Sequence, residues 1–183
     1  MGATDDTGDK HDTPLRLFYA LWPDEAVRES LQGLQMHVHG RHVQAVNLHI
    51  TLAFLGNQPA SRLPLLKNIL ADLPRDAFTL PIDRLGYFRK NRIAWAGSHA
   101  APDALITLQA SLAQTLTQHV IAFDSKGDFK PHVTLAREAE PPLDLPFDPF
   151  VWAVQKIALV QSLQQGGRLA YKVLAWRHLE RQD

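Results

Sequence analysis

The four residues His49-Ile50-Thr51-Leu52 have a near copy further along the chain, His132-Val133-Thr134-Leu135. Each copy lies in an apolar run that is typical of a β-strand. Successive side chains of a strand point to opposite faces, so the histidine and threonine of each copy share one face and the two aliphatic residues share the other. The pattern predicts two strands with their aliphatic sides in a core and their polar sides at one groove.

Two imidazoles and two hydroxyls in one groove are suited to phosphoryl chemistry without a metal ion. Imidazoles transfer protons near neutral pH, and hydroxyls donate hydrogen bonds to an anion. One histidine would take a proton from water and the other would protonate the leaving oxygen, whereas Thr51 and Thr134 would donate to the non-bridging oxygens. This arrangement requires one neutral and one charged histidine and predicts a bell-shaped dependence of rate on pH.

A single copy of the pattern has a simpler interpretation, because strands often alternate polar and apolar residues and an exposed strand face needs no function. Two copies, each after a loop and each on an apolar strand, favour the functional interpretation. His37, His39 and His42 also lie close together. Without nearby cysteine or carboxylate partners, a polar loop is a better interpretation of them than a metal site. We therefore expect neither a metal ion nor a cofactor.

Composition narrows the class of protein further. The 183 residues suit one domain or two small lobes, and 45% hydrophobic with 21% charged residues is ordinary for a folded protein. The formal net charge of +0 lacks the basic excess of proteins that grip a long nucleic-acid backbone, so any nucleic acid is expected to bind at an end or a single linkage. The absence of cysteine excludes disulfides, thiolate nucleophiles and cysteine-based zinc sites.

Residues 1–13 are polar and predict a disordered tail that lacks the apolar stretch of a signal peptide. We expect residues 14–183 to form one domain. No apolar run approaches the length of a membrane span. The expectation is a soluble, cytoplasmic monomer with no membrane contact and no obligate protein partner.

Hydrophobic periodicity predicts an α+β fold with a mostly antiparallel sheet. The predicted elements are strand 15–21, a helix from residue 23, motif strand 48–55, helix 62–73, strands 78–85 and 92–96, a helix from residue 102, motif strand 130–137, and strands 151–162 and 168–179. The two strands on either side of residues 86–91 are predicted to pair as a hairpin, and the last two strands to pair with each other. Each motif strand is expected to belong to a different half, with the groove between them.

The residues around both motifs resemble the signature blocks of the two-histidine (2H) phosphoesterases. Within that superfamily they are similar to the RNA 2′,3′-cyclic phosphodiesterase family, also described as LigT-like or 2′-5′ RNA ligase-like. The similarity runs from about residue 15 to residue 179. The matching blocks are residues 16–21 (RLFYAL), 47–56 (NLHITLAFLG), 85–88 (LGYF), 130–137 (KPHVTLAR) and 157–162 (IALVQS).

The resemblance implies two pseudo-symmetric lobes of mostly antiparallel sheet, with helices on the outer faces and the active site in the cleft between the lobes. It implies hydrolysis of a 2′,3′-cyclic phosphate at an RNA end to a 2′-phosphate. By the family's assignment, His49 would be the proton donor and His132 the proton acceptor.

Two further positions correspond to residues that lie beside the cleft in relatives. Phe18 would stack on a base and Arg137 would pair with a phosphate or ribose oxygen, although Phe18 also suits a core and Arg137 a solvated strand end. Together with Thr51 and Thr134, they are the predicted substrate-binding residues. One departure from the family is Arg41-His42, where relatives often have Arg-Trp. The contact of that tryptophan is missing, and substrate preference would differ accordingly.

Other functions stay open at the level of the sequence. The same chemistry would serve a small nucleotide, such as a cyclic phosphate of ADP-ribose, or a 2′-5′ linkage, so RNA ends and small cyclic-phosphate nucleotides are both predicted substrates. In reverse it would join RNA through a 2′-5′ linkage, as a side activity because no nucleotide-activation motif is present. A non-catalytic RNA-end binding module is the alternative from a different class, and intact histidines and threonines in both copies argue against it.

Overall fold

The computed structural model describes residues 12–181. The tail predicted over residues 1–13 lies outside the described residues except for its last two positions. In chain order the elements are β1 (Pro14–Leu21), α1 (Glu25–Leu34), β2 (Arg41–His42), β3 (Ile50–Pro59), α2 (Leu63–Asp72), β4 (Phe78–Ile82), β5 (Arg84–Phe88), β6 (Ile93–Gly97), α3 (Asp103–Gln118), β7 (Val133–Arg137), β8 (Phe150–Val154), β9 (Lys156–Gln165) and β10 (Arg168–His178). None of the helices in this part of the chain combines the length and apolarity that a bilayer crossing requires.

One large sheet holds most of the strands, in the order β10-β9-β1-β3-β7-β6-β5, with β2 paired to β7. β4 and β8 form a separate two-stranded ribbon. Every pairing between these strands is antiparallel. The predicted α+β fold with a mostly antiparallel sheet is confirmed.

Each helix buries one apolar stripe. α1 begins after Asp24, whose carboxylate accepts a hydrogen bond from the backbone N–H of Val27 at 2.9 Å and satisfies a donor that the first helical turn leaves unpaired. α2 packs against β9 and β10, α3 against β3, and α1 against β7. The buried helical residues are Val27, Leu31, Leu34, Leu66, Ile69, Leu70, Leu105, Leu108, Leu112 and Leu116. Their spacing of three or four residues confirms the helices predicted from periodicity.

The large sheet consists of two halves joined at its centre. Strands β10-β9-β1-β3 make one half and β7-β6-β5 the other. Between β3 and β7, one residue pair is in register within the described chain, Ile50 opposite Val133, and both side chains are fully buried. The two motif strands are therefore the inner edges of the two halves, and a cleft opens where the edges separate. This is the two-lobed arrangement that the sequence predicts.

Two strand pairings differ from the prediction. The segment predicted as one strand over 78–85 divides at Asp83, so that β4 pairs with β8 and only β5 pairs with β6. The segment 151–162 likewise divides into β8 and β9. Alternation locates strands but does not specify the partner strand, and the ribbon forms because Leu80 of β4 lies buried opposite Trp152 of β8.

Gly86 is a position in the β5–β6 hairpin where the fold leaves no room for a side chain. It lies opposite Trp95, and a β-carbon at Gly86 would approach the indole to 2.1 Å. The same indole lies 6.3 Å from the ring of His132, measured between centroids. The glycine therefore allows the indole to lie beside the second histidine motif.

We expect Gly86→Ala to destabilise the protein by about 1–3 kcal/mol, because overpacking displaces the indole. Gly33→Ala is the matched control, since Gly33 lies in α1 and a β-carbon there meets nothing within 4 Å. Alanine at that position is expected to stabilise the helix by about 0.5–1 kcal/mol. Urea unfolding measures both changes. A stability of Gly86→Ala equal to that of the wild type would show that the indole has room to move.

Candidate active site

The two histidine motifs meet at the centre of the large sheet with their polar sides on one surface. The aliphatic residues of both motifs are buried, whereas both histidines and both threonines line one cleft. Because the central pair is antiparallel, the two motifs run in opposite directions on either side of it. A local pseudo-two-fold axis thus relates the four polar side chains.

A β-bulge follows each threonine and brings one more residue to the cleft. In β3 the residues flanking Leu52 pair with successive residues of β1, so Leu52 is an inserted residue. In β7 the residues flanking Leu135 pair with successive residues of β6 in the same way. The insertion reverses the alternation beyond it. As a result the third residue after each threonine, Phe54 in β3 and Arg137 in β7, lines the cleft.

The same backbone contact holds both imidazoles. Nδ1 of His49 lies 2.7 Å from the carbonyl oxygen of Asn47, and Nδ1 of His132 lies 2.6 Å from that of Lys130. A carbonyl oxygen only accepts, so Nδ1 carries the proton in both rings and Nε2 of the neutral ring is an acceptor. The Thr51 hydroxyl, 3.1 Å from Nε2 of His49, donates to it. Both histidines are held in the tautomer that offers Nε2 for proton transfer.

Aromatic rings enclose both imidazoles. The rings lie 4.9–6.3 Å from the histidine centroids and belong to Phe18, Trp22 and Tyr171 around His49 and to Phe88 and Trp95 around His132. Trp22 is stacked on His49, with 12° between the ring planes. These contacts restrict the orientation of each imidazole and remove much of its surface from water.

This enclosure disfavours the charged form of both histidines. Removal from water lowers the pKa of His49 from 6.5 to about 4; the Asn47 carbonyl opposes the change, and the charges of His132 and Arg137 add to it. Burial also lowers the pKa of His132, with Arg137 contributing and the Lys130 carbonyl opposing. In the free protein at neutral pH, both imidazoles are therefore uncharged.

The cleft around the histidines has a volume of about 930 Å³ and a positive lining. Arginines from four segments contribute to it, whereas no aspartate, glutamate or lysine among the described residues does. The arginines are Arg16, Arg41, Arg137 and Arg168. Since the whole chain has a formal net charge of +0, its positive charge is concentrated locally. A positive, partly enclosed cleft attracts anions, and planar guanidinium groups match phosphate oxygens.

The structure brings all of the predicted site residues to this cleft. They are His49, His132, Thr51, Thr134, Arg137 and Phe18. Phe18 is the least accessible of them, with 3% of its surface exposed, and its ring packs on His49 and Tyr171. It offers a base little free surface and instead contacts one side of the His49 imidazole.

Four further cleft residues were not predicted as site residues from the sequence: Arg16, Phe54, Arg168 and Tyr171. Alternation from Thr51 assigns Phe54 to the core side, and the bulge in β3 reverses that assignment. Arg16 lies two residues before Phe18 on β1, and its guanidinium lies 4.7 Å from the centre of the Phe54 ring. The spacing from Phe18 is the one local signal that points to Arg16.

The three histidines that precede the first motif do not converge. His37 is buried with its ring 6.0 Å from that of Phe147, whereas Nε2 of His42 lies 2.9 Å from the carbonyl oxygen of Val38. His42 also lines the cleft. Within residues 12–181, no group of three or more histidine, cysteine, aspartate or glutamate side chains has an arrangement that could hold a metal ion.

Comparison with known proteins assigns this chain to a family. The model of the 2′-5′ RNA ligase superfamily matches residues 22–166, a range that includes both histidine motifs. The chain belongs to the 2′-5′ RNA ligase superfamily. The family that the sequence predicts is thereby confirmed.

Similar proteins of the superfamily cover nearly the whole chain. An Escherichia coli (strain K12) protein named RNA 2′,3′-cyclic phosphodiesterase is 34% identical over 167 residues, which cover 88% of this chain and 94% of that protein. A Thermus thermophilus protein of the same name is 32% identical over 175 residues, which cover 87% and 88% of the two chains. The crystal structure of E. coli LigT complexed with 3′-AMP has a TM-score of 0.80 and 31% identity, and covers 92% of this chain and 99% of LigT.

The lowered pKa of His49 is directly measurable. In an NMR titration of the free protein, the ring signals of His49 are expected to titrate near pH 4. They are identified by their absence from the spectrum of His49→Asn. The unfolded chain binds the proton at a pKa of about 6.5, so stability should fall as pH drops from about 6.5 to about 4, and should fall less in His49→Asn. Titration of His49 near 6.5 would show that water reaches the ring.

Proposed function

We propose that this protein hydrolyses RNA 2′,3′-cyclic phosphate ends to 2′-phosphomonoesters without a metal ion. The observation that carries the proposal is the pair of histidines, each held by an upstream carbonyl with its Nε2 unprotonated, at the start of two strands that meet in an arginine-lined cleft. The E. coli and Thermus relatives, both named RNA 2′,3′-cyclic phosphodiesterase, support this substrate. Both motifs come from one chain, so a monomer would supply the whole site.

The proposed reaction is an in-line displacement at phosphorus between the two imidazoles. Nε2 of neutral His132 takes a proton from water as the water oxygen bonds to phosphorus. The bond from phosphorus to the 3′ oxygen breaks on the opposite side, and Nε2–H of protonated His49 gives its proton to that oxygen. The phosphate stays on the 2′ oxygen, and each proton transfer contributes ~10²–10⁴ in rate. The cycle closes when His132 releases a proton to solvent and His49 takes one up.

The threonines are proposed to hold the non-bridging oxygens of the phosphate. In the free protein the Thr51 hydroxyl donates to Nε2 of His49, and it is released to the phosphate once that nitrogen carries a proton. A hydrogen bond to a charged group contributes about 1.5–3 kcal/mol, and it raises the rate only where it strengthens in the transition state. Thr134 plays the equivalent part on β7, with Arg137 adding positive charge and Phe18 supporting the His49 ring.

The donor role proposed for His49 depends on the substrate. Burial makes the imidazolium form of His49 unfavourable in the free protein. A phosphodiester anion beside Nε2 supplies an opposite charge, which raises the pKa and favours protonation as the substrate enters. The near symmetry of the two motifs also permits the reverse assignment, with His132 as donor. A substrate with an altered leaving group distinguishes the two assignments of the proton donor.

Replacing either histidine by alanine is expected to lower kcat by at least ~10²–10⁴-fold, because one proton transfer is lost. The assay follows a short RNA that ends in a 2′,3′-cyclic phosphate, in EDTA, and resolves 2′- from 3′-phosphate products. His119→Ala is the matched control, since His119 is exposed at the end of α3 and does not line the cleft. Turnover that survives both active-site substitutions, or that EDTA abolishes, would contradict the proposal, and binding without turnover would favour an RNA-end binding module.

A substrate with sulfur in place of the 3′ oxygen identifies the proton donor. A thiol is far more acidic than an alcohol, so the thiolate leaves without receiving a proton. His49→Ala is therefore expected to recover most of the wild-type rate on the 3′-thio substrate. His132→Ala should remain inactive, because water must still lose a proton. Rescue of His132→Ala in place of His49→Ala would reverse the assignment.

A further inference from the structure

The indole of Trp22 lies nearly parallel to the His49 imidazole but outside the cleft. Trp22 directly follows β1, is 9% exposed, and donates its backbone N–H to the carbonyl oxygen of Lys156 at 3.1 Å. The centroids of the indole and the imidazole are 5.6 Å apart, with 12° between the planes. The described residues that line the cleft include His49 but not Trp22. Any effect of Trp22 on a ligand in the cleft therefore passes through His49.

Trp22 differs from the other rings around His49 in its orientation. The planes of Phe18 and Tyr171 are inclined to the imidazole by 31° and 85°, at centroid distances of 4.9 and 5.2 Å. Offset stacking at about 4.5–7 Å is a favourable arrangement of two aromatic rings. The stacked indole and the hydrogen bond from Nδ1 to the carbonyl oxygen of Asn47 act together on the imidazole. They fix the plane of the ring and the direction of Nε2.

An indole face also favours the charged form of an imidazole that lies over it. The ring quadrupole attracts a cation within about 6 Å of the centroid, and tryptophan gives the strongest attraction among the aromatic side chains. An aliphatic side chain at this position would exclude water from His49 as well but would offer no such attraction. In the empty cleft, removal from water dominates and lowers the pKa of His49. Once a bound phosphate favours the imidazolium, the indole stabilises it further.

We propose that Trp22 is a positioning residue for the proton donor: its indole holds the His49 ring in place and stabilises the imidazolium form during turnover. The inference rests on the proposed function and adds to it a residue that lies outside the cleft. The role differs from that of the threonines, which are proposed to hold the phosphate itself.

Replacing Trp22 leaves the charged and titratable groups around His49 in place. Two of them, His132 and Arg137, oppose protonation of His49. Outside the cleft, Nζ of Lys156 lies 5.5 Å from the centre of the Trp176 ring. A change in pH dependence on replacing Trp22 therefore reports on the indole. The groups that line the cleft with His49 are Arg16 of β1, Arg41 and His42 of β2, His132 before β7, Arg137 of β7, and Arg168 and Tyr171 of β10.

The experiment measures kcat against pH for Trp22→Leu and Trp22→Phe, on the 2′,3′-cyclic RNA end and on its 3′-thio analogue. The alkaline limb reports the pKa of the proton donor in the complex. On the oxygen substrate, Trp22→Leu is expected to move that limb down by about 0.5–1.5 pH units, which lowers kcat about 3- to 30-fold above the limb. Trp22→Phe keeps a π face and should move the limb less. On the thio substrate both variants should stay close to the wild-type kcat, because the thiolate leaves without a proton.

Trp176→Leu is the matched control. Trp176 meets Trp22 edge-on with centroids 6.3 Å apart and is 43% exposed. In the described part of the chain it neither lines the cleft nor makes a ring contact with His49. This variant should keep the wild-type limb on both substrates. A downward shift as large as that of Trp22→Leu would show that loss of packing is sufficient, and would overturn the inference.

Three other results would overturn it. An unmoved limb with equal loss of kcat on both substrates would leave Trp22 only a structural role, and an unmoved limb with full activity would leave it none. An upward shift would show that the indole acts mainly by excluding water. If Trp22→Leu does not fold, as judged by circular dichroism, Trp22→Phe provides the same test. Wild-type turnover of the cyclic end leaves the proposed function standing in all of these cases, and its absence would overturn the proposed function itself.

Discussion

The pairing of Ile50 with Val133 is the contact on which the active site depends. It joins the two halves of the sheet, and each of the two residues stands between the histidine and the threonine of its own motif. Burial of two aliphatic side chains, at about 1.5–3 kcal/mol each, therefore fixes the direction of four polar ones. Because the strands are in register at this one pair in the described chain, core packing sets their alignment more than a hydrogen-bond ladder does. The same short contact leaves room for the cleft.

The two copies of the motif repeat a local geometry as well as a sequence. In each copy the histidine donates from Nδ1 to an upstream carbonyl, and the motif leucine is the inserted residue of a bulge. The copies differ at the next cleft position, where β3 contributes the ring of Phe54 and β7 the guanidinium of Arg137. The two halves are thus alike in the groups suited to proton transfer and different in the groups beside them.

Much of the fold follows from local periodicity, which depends on the chain alone. Alternation predicts the face of each motif strand that carries the histidine and threonine, and the leucine stripes predict the helices. Alternation predicts the wrong face for Phe54, because the bulge in β3 depends on how β3 aligns with β1. It also fails over 78–85, because the partner of β4 is β8, far along the chain. Arg41 shows the same limit, since a two-residue strand has no periodicity and its position opposite Arg137 is set by tertiary pairing.

The electrostatics of the cleft couple protonation to substrate binding. Burial and the charge of Arg137 both disfavour a proton on His49 and on His132 when the cleft is empty. The same arginine favours an anion. An incoming phosphate offsets the charge of Arg137 and places a negative charge beside the imidazoles. The net charge around the imidazoles, which opposed protonation in the empty cleft, then favours it. A histidine that is neutral in the free protein and protonated in the complex carries its proton only when a leaving oxygen is present to receive it.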